Sequence, residues 1–404
     1  MRNKNKSPRK YGKITEQTLD VLIEKIVANG FGFAFADGLT IFVSLAVKGD
    51  KLRVRLTKQK GKVAFAEIIE ILEPSPLRVI PECQYFGRCG GCDFQQMSYE
   101  EQLDAKLSIL KDCLKRIGRI EYDAVIKMHA SPKVFGYRSR TCVHGDARTK
   151  KLGFFRRNTN EVFDIDECLV LSGELQTALT KTRQSVDFTK LWANIVDIEI
   201  ASGDKGSSLY CDEIMEETKE IALTFGDFKY HFNAKTFFQG NSSLIPSLIN
   251  ATTYADNGNV AVELFCGVGL FSLPLSKNFK KVIAIEDNDI AIEFARKNAE
   301  LAKVNNIEFK IEDVGDFLLG NKFETIDLLL LDPPRTGIEK DALMRIIEIK
   351  PTCVTYVSCD PATLARDLKL FTENGYKIES IEAFDLFPNT HHIESVVKMK
   401  LLVD

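Results

Sequence analysis

Residues 260–276 read VAVELFCGVGLFSLPLS, a strand, a glycine turn and a helix in one short stretch. The apolar run Val260–Leu264 suits a strand buried on both faces. Gly267 and Gly269 stand where backbone must bend sharply and pass close to a ligand. Four further apolar runs follow: KVIAIE (281–286), IEFKIE (307–312), IDLLLLD (326–332) and CVTYVS (353–358), with helical stretches between them. This alternation predicts an α/β domain over 231–404, built on a doubly wound, mostly parallel, Rossmann-like sheet.

The ends of those runs carry the chemistry. Glu286 closes the second run nineteen residues after Gly267, where doubly wound folds place an acid to bind ribose hydroxyls. Tight-turn glycines or a solvated acid would explain either feature alone; together they predict a nucleoside cofactor. Position 272 is Ser, so the third glycine of a pyrophosphate-binding turn is missing and a dinucleotide fits less well. The fourth run delivers LDPPRTG (331–337), with Asp332 at the strand end and Pro333 and Pro334 stiffening the loop.

The fifth run leads into SCDPATLARDL (358–368). Asp360 and Pro361 are an N-cap and first-turn proline, so Cys359 is expected at the positive end of a helix dipole, which favours thiolate. Cys113, Cys142, Cys211, Cys266 and Cys353 read as packing residues. Near the C-terminus, NTHHIESVV (389–397) offers Glu394, His391 or His392 as a proton acceptor. Phe237 and Phe238 in AKTFFQGN (234–241) are stacking rings or core.

Upstream lie two other segments. Residues 1–19 are a basic, disordered tail. From 20 to 75, glycine-punctuated runs predict a small antiparallel barrel of five strands. In KLRVRLTK, Lys51, Arg53 and Arg55 alternate with Leu52, Val54 and Leu56, which puts cations on one face and apolar side chains in the core. Net charge is −3 overall, but residues 1–75 carry 14 Lys+Arg against 8 Asp+Glu. Between Lys48 and Lys62 there are seven cations and one acid, beside Phe31, Phe33 and Phe35. A solvated strand explains one such run; the concentration favours a nucleic-acid surface.

Residues 76–230 form an α+β segment that opens on CQYFGRCGGC (83–92), followed by an amphipathic helix at 99–117. Cys83, Cys89 and Cys92, with Cys168 in DIDECLVL (164–171) as fourth ligand, are a metal signature that suits zinc or an iron–sulfur cluster. No run approaches the roughly twenty apolar residues of a membrane span, and MRNKNKSPRK lacks a secretory apolar stretch. A cytoplasmic monomer is expected, without membrane contact.

These motifs, in this order from residue 20 to the C-terminus, resemble the bacterial RNA 5-methyluridine (uracil-C5) methyltransferases, especially members acting on 23S ribosomal RNA. The resemblance implies that 20–75 is a TRAM domain, an oligonucleotide-binding barrel, and that Cys83, Cys89, Cys92 and Cys168 hold a [4Fe-4S] cluster. It implies S-adenosylmethionine as cofactor, bound by Gln239 in FFQGN, Phe265 in LFCG, Glu286, Asp313 in FKIEDVGD and Asp332. Cys359 falls on the family's nucleophile and Glu394 on its general base. Cytosine-5 relatives usually carry a cysteine within the LDPPRTG position; its absence here points to uracil. The partner implied is RNA, ribosomal RNA foremost; transfer RNA with the same chemistry, or an RNA-binding or folding factor without catalysis, are the competing readings. Two departures stand out: Leu270 replaces an asparagine, removing a polar contact worth about 1 kcal/mol, and FNAK (232–235) replaces a stretch with serine and proline.

Overall fold

The computed structural model describes residues 17–213, 218–253, 257–321, 323 and 325–402. Most of the basic tail, up to residue 16, lies outside the described residues. The chain forms two compact units: one takes the residues up to Gly87, Cys92–Ile109 and Asn389–His391; the other takes Arg88–Gly91, Leu110–Pro388 and the residues from His392.

The first unit holds β1 (Thr18–Leu22), β2 (Lys25–Val27), β3 (Phe31–Ala36), β4 (Leu39–Val43), β5 (Lys51–Lys60) and β6 (Val63–Glu73), in the order β1-β5-β6-β4-β3-β2. Six strands replace the five expected because the first run changes partner midway. The Ile23 N–H donates to Asp50 O and the Glu24 N–H to Phe33 O, both at 2.9 Å. The sheet is not wholly antiparallel either: β4 and β6 run parallel. Leu52, Val54 and Leu56 are buried with Ile41, Val43, Ala64 and Ala66, and each of the leucine, valine and isoleucine side chains contributes roughly 1.5–3 kcal/mol.

Helix α1 (Tyr99–Cys113) belongs to the first unit as far as Ile109. In the second unit, after β7 (Lys127–His129), β8 (Arg140–Asp146), β9 (Lys151–Phe155) and β10 (Val162–Asp164) join β11 (Ile195–Ser202) and β12 (Ser207–Tyr210) in an antiparallel sheet, order β10-β9-β8-β11-β12. The intervening α2 (Gly173–Ser185) covers it through Leu175, Ala178 and Leu179. A hairpin of β13 (Ile221–Phe225) and β14 (Phe228–Phe232) and helix α3 (Ile245–Thr253) lead into the large sheet.

Its elements are β15 (Gly258–Leu264), α4 (Ser272–Leu275), β16 (Phe279–Glu286), α5 (Asp289–Leu301), β17 (Ile307–Ile311), α6 (Val314–Gly320), β18 (Leu328–Leu331), α7 (Lys340–Ile349), β19 (Cys353–Ser358), α8 (Pro361–Glu373), β20 (Tyr376–Phe384) and β21 (Glu394–Leu401). The order is β17-β16-β15-β18-β19-β21-β20-β7. Strands β15 to β19 are mutually parallel, as the apolar runs predict, and β21 enters antiparallel to both β19 and β20. The chain steps outward from β15 to β17 and then crosses to β18. The carboxyl ends of β15 and β18 therefore frame a topological switch point, where such sheets bind ligands.

Candidate active site

Strand β15 ends in a strained turn. Phe265 holds φ +65°, a left-handed conformation that costs a non-glycine residue roughly 1–2 kcal/mol. Gly267 follows at φ +52°, and a Cβ there would meet nothing within 4 Å, so the turn faces open space. The Gly267 N–H donates to Glu286 Oε2 at 3.0 Å, and the Asn288 N–H to Glu286 Oε1 at 3.1 Å. Glu286 thus ties the end of β16 to the β15 turn, and a carboxylate has about four acceptor sites, so two backbone bonds leave capacity for a ligand hydroxyl.

Asp332 follows β18, its N–H reaching Leu264 O at 3.4 Å. Its loop is held by α8: the Thr363 hydroxyl donates to Arg335 O at 3.3 Å and Arg366 donates to Thr336 O at 3.2 Å. Gly337, at φ +73°, leaves room for that clamp, since a Cβ there would sit 2.6 Å from the Arg366 guanidinium. Asp367 completes it by accepting from the Tyr356 hydroxyl at 2.8 Å and the Ile338 N–H at 3.3 Å.

Cys359 lies between β19 and α8, half-buried. The register pairs Ser358 with Ser395, so Glu394, the first residue of β21, comes opposite Cys359. Glu394 is buried. Burial first, then Asp332, pushes its carboxyl well above the ordinary range, and Arg335 opposes them. The same crowding raises Asp332, through burial and then Glu286, and raises Glu286, chiefly through burial. Acids packed this closely favour a cationic ligand.

The thiol contradicts the thiolate expected from the helix dipole. Burial pushes Cys359 up to about 12, with Glu394, Asp332 and Asp360 adding to the rise and Arg335 opposing it. The physical reason is burial first and the neighbouring carboxylates after it; the helix end gives little relief, because Asp360 accepts from the Ala362 and Thr363 N–H groups at 3.0 and 2.8 Å. A carboxylate therefore satisfies the helix end before the thiol can benefit from it.

Gln239 is buried, in a segment pinned to β8. Arg140 donates to Thr236 O at 2.5 Å and Ala234 O at 2.9 Å, and the Ser139 N–H donates to Gly240 O at 2.8 Å. Gly240 in turn abuts Phe387, whose ring lies 6.1 Å from His392. His392 Nε2 meets the Arg335 guanidinium at 3.1 Å, which joins this segment to the Cys359 neighbourhood. His391 belongs to the first unit, where its Nδ1 meets Asp93 Oδ2 at 2.5 Å. Asp313 caps α6, its carboxylate accepting from Gly315 and Asp316 at 2.8 and 3.1 Å.

Several other expectations are corrected. Phe238 is core, stacked on Phe232 at 4.4 Å, while Phe237 is 65% exposed. Cys142 lies half-buried beside His144 and Asp197, and burial pushes its thiol up to about 12. Lys51, Arg53 and Arg55 of β5 are matched by acids on the flanking strands. Lys51 meets Glu73 at 2.7 Å, Arg53 meets Asp20 at 2.8 Å and Glu70 at 3.0 Å, and Arg55 meets Glu67 at 3.6 Å. Leu270 joins the apolar core, where its carbonyl accepts from the buried Tyr230 hydroxyl at 3.1 Å.

Sequence reasoning missed Glu263 and Arg335. Glu263 is buried in β15, bonded to the Ser272 hydroxyl through Oε2 and without a partner at Oε1. Burial pushes it up to about 8; Asp332 and Glu286 add to this and Ser272 opposes it. The signal was present, one acid inside the apolar run VAVELF. Among the described cysteines there is no disulfide. Cys83 and Cys92 belong to the first unit and Cys89 and Cys168 to the second; all four are half-buried. No described helix is long and apolar enough to cross a membrane.

Residues 156–401 match the sequence family described as tRNA (Uracil-5-)-methyltransferase, and residues 15–69 match the TRAM domain. An "Uncharacterized RNA methyltransferase" of Aquifex aeolicus is 29% identical over 96% of this chain and 99% of its own. The 23S rRNA (uracil(1939)-C(5))-methyltransferase RlmD of Aliivibrio fischeri is 30% identical over 96% of this chain and 98% of its own. Among solved structures, the tRNA (uracil-54, C5)-methyltransferase of Pyrococcus abyssi, in complex with S-adenosyl-L-homocysteine, superposes with a TM-score of 0.73. It is 25% identical and covers 94% of this chain and 100% of its own.

Proposed function

This chain belongs to the tRNA (uracil-5-)-methyltransferase family and is an S-adenosylmethionine-dependent RNA uracil-C5 methyltransferase; we propose that its target is a uridine of 23S ribosomal RNA, methylated through a covalent bond to Cys359. The observation that carries the mechanism is the meeting of Cys359 and Glu394 on neighbouring strands, beside Asp332. The ribosomal target is supported by the Aliivibrio fischeri relative, similar along nearly its whole length. Transfer RNA, the substrate named for the Pyrococcus abyssi enzyme, is the second reading.

The Cys359 thiol gives its proton to solvent as Sγ adds to carbon 6 of the uracil, and the electrons of the C5–C6 double bond move toward the C4 carbonyl, which makes carbon 5 nucleophilic. Arg335, the cation acting on both Cys359 and Glu394, favours the thiolate and the negative ring. S-adenosylmethionine, when bound, supplies the methyl group. Glu394 takes the proton from carbon 5; the double bond re-forms and Sγ leaves carbon 6. Its raised proton affinity suits a base that must accept a proton from carbon. The cofactor would be held by Glu286, Asp332, Gln239, Asp313 and the backbone around Phe265 and Gly267. Phe237 stacks on the displaced base, which has to leave its own stack to be reached.

Cys83, Cys89, Cys92 and Cys168 hold a [4Fe-4S] cluster that braces the segment 76–230. The donor set fits, since four thiols outside any disulfide match such a cluster. Gln95 and Gln176 anchor two of them by accepting from the Cys83 and Cys168 N–H groups at 3.2 and 3.0 Å.

The test is RNA carrying 5-fluorouracil, whose carbon 5 has no proton to lose. Wild type is expected to form an adduct stable in a denaturing gel and Cys359→Ala none. Methyl transfer by Cys359→Ala would sink the covalent route. For the target, nucleoside mapping in a deletion strain is expected to show a 23S uridine without its methyl group; a loss confined to transfer RNA would reverse that assignment.

A further inference from the structure

The antiparallel sheet of the second unit has two unlike faces. On one, Val143 of β8 and Val196, Ile198 and Ile200 of β11 are buried against α2. The residues between them share the other face: Cys142 and His144 of β8, Asp197 and Glu199 of β11. The register pairs His144 with Asp197 and Cys142 with Glu199. One thiol, one imidazole and two carboxylates therefore stand at the corners of a square on adjacent strands, all within the second unit.

Three of these groups converge. The Cys142 sulfur, a ring nitrogen of His144 and a carboxylate oxygen of Asp197 all lie within 4.8 Å of one another. His144 Nδ1 meets Asp197 Oδ1 at 2.7 Å. The imidazole stacks on Phe155, ring centres 3.7 Å apart, which fixes its plane. Asp197 is 71% exposed, so this corner opens to solvent. Arg140, on the same face, is committed elsewhere: its guanidinium donates to Thr236 O, Ala234 O and Glu199 Oε2 at 2.5, 2.9 and 3.1 Å. An ion pair between His144 and Asp197 would need no cysteine beside it, and the thiol adds a soft donor to a nitrogen and an oxygen.

We propose that Cys142, His144 and Asp197 bind a zinc ion, with water as the fourth ligand. Sulfur, nitrogen and oxygen donors suit zinc, whose tetrahedral ligand atoms stand about 3.5 Å apart, so the three side chains close by about 1 Å on binding. The thiol proton leaves to solvent as the metal–sulfur bond forms. Thiolate and carboxylate then balance the charge of the dication, and the imidazole stays neutral. The ion ties β8 to β11 and uses none of the four cysteines assigned to the iron–sulfur cluster.

The experiment uses the full chain, purified anaerobically and freed of loose metal with EDTA. Zinc is titrated against a chromophoric chelator, and cobalt(II) is added in its place to record a difference spectrum. Wild type is expected to take up one zinc per chain and to give a thiolate-to-cobalt absorption band. His144→Gln and Asp197→Asn are each expected to weaken zinc about tenfold or more, since even an outer partner of a ligand is worth that much. Cys142→Ser is expected to abolish the cobalt band. Asp197 is exposed, so its variant should melt like wild type in the absence of metal. No zinc uptake, equal affinity in wild type and Asp197→Asn, or a cobalt band that survives Cys142→Ser would each overturn the site. Methyl transfer is not part of this readout, so failure here leaves the methyltransferase reading standing.

Discussion

Cys359 and Glu394 stand one residue beyond the paired Ser358 and Ser395, so the proposed nucleophile and base come from adjacent antiparallel strands. Side chains so placed have Cβ atoms about 4.5–5.5 Å apart, close enough to serve opposite sides of one small ring. Removing the base should therefore leave the first step intact and block the last. Glu394→Gln is expected to lower turnover by about 10²- to 10⁴-fold and to accumulate a protein–RNA adduct on ordinary uridine substrate, seen on a denaturing gel. Normal turnover without adduct would transfer the base role to His392.

The Cys359 thiol, pushed up to about 12 by burial and nearby acids, should be a slow nucleophile toward small reagents at neutral pH. Alkylation of its peptide by iodoacetamide, followed by mass spectrometry, is expected to accelerate steadily as pH rises into the alkaline range. Arg335→Met removes a cation that favours thiolate, so the alkylation curve should move to still higher pH. A shift in the opposite direction would refute this role of Arg335.

Glu263 makes stability depend on pH. Its ordinary value is 4.5 and burial pushes it up to about 8. Below 4.5 both folded and unfolded chains hold the proton; between 4.5 and about 8 only the folded chain does. Stability should therefore fall across that window, by about 1.4 kcal/mol per pH unit from this group alone, and level off above it. Glu263→Gln removes the slope, so thermal melts at pH 5 and pH 8 should show a smaller difference in the variant than in wild type. Equal differences would mean that Glu263 ionises normally in the fold.

Buried Asp50 accepts from the Val47 and Ser75 N–H groups at 2.7 and 2.9 Å and pairs with Arg78 at 2.5 Å. Asp50→Ala would strand those donors and is expected to cost about 3–5 kcal/mol. Denaturant unfolding of the full chain should show that loss.

The cluster assignment predicts a brown protein after anaerobic purification, containing close to four irons per chain. Replacing Cys168 with Ala should lower iron content and visible absorbance, whereas replacing Cys211, buried elsewhere in the second unit, should change neither. A colourless, zinc-loaded wild type would exclude iron–sulfur chemistry.

Local signals were enough to locate the strands and turns that carry the proposed site. A continuous apolar run, a glycine turn and an acid at fixed spacing announce β15, the Gly267 turn and Glu286, because strand burial and close ligand approach constrain nearby residues. Asp360 and Pro361 announce α8 for the same reason, since capping is settled within one helical turn. Tertiary structure alone decided what those residues face. Cys359 meets Glu394 only because β21 returns antiparallel beside β19, and the helix end expected to activate the thiol is occupied by Asp360. Likewise, a period of two placed Lys51, Arg53 and Arg55 on one face but could not reveal Glu73, Asp20 and Glu67 across the neighbouring strands. Chemical character is carried locally along a chain; charge balance and proton affinity depend on partners that only folding brings together.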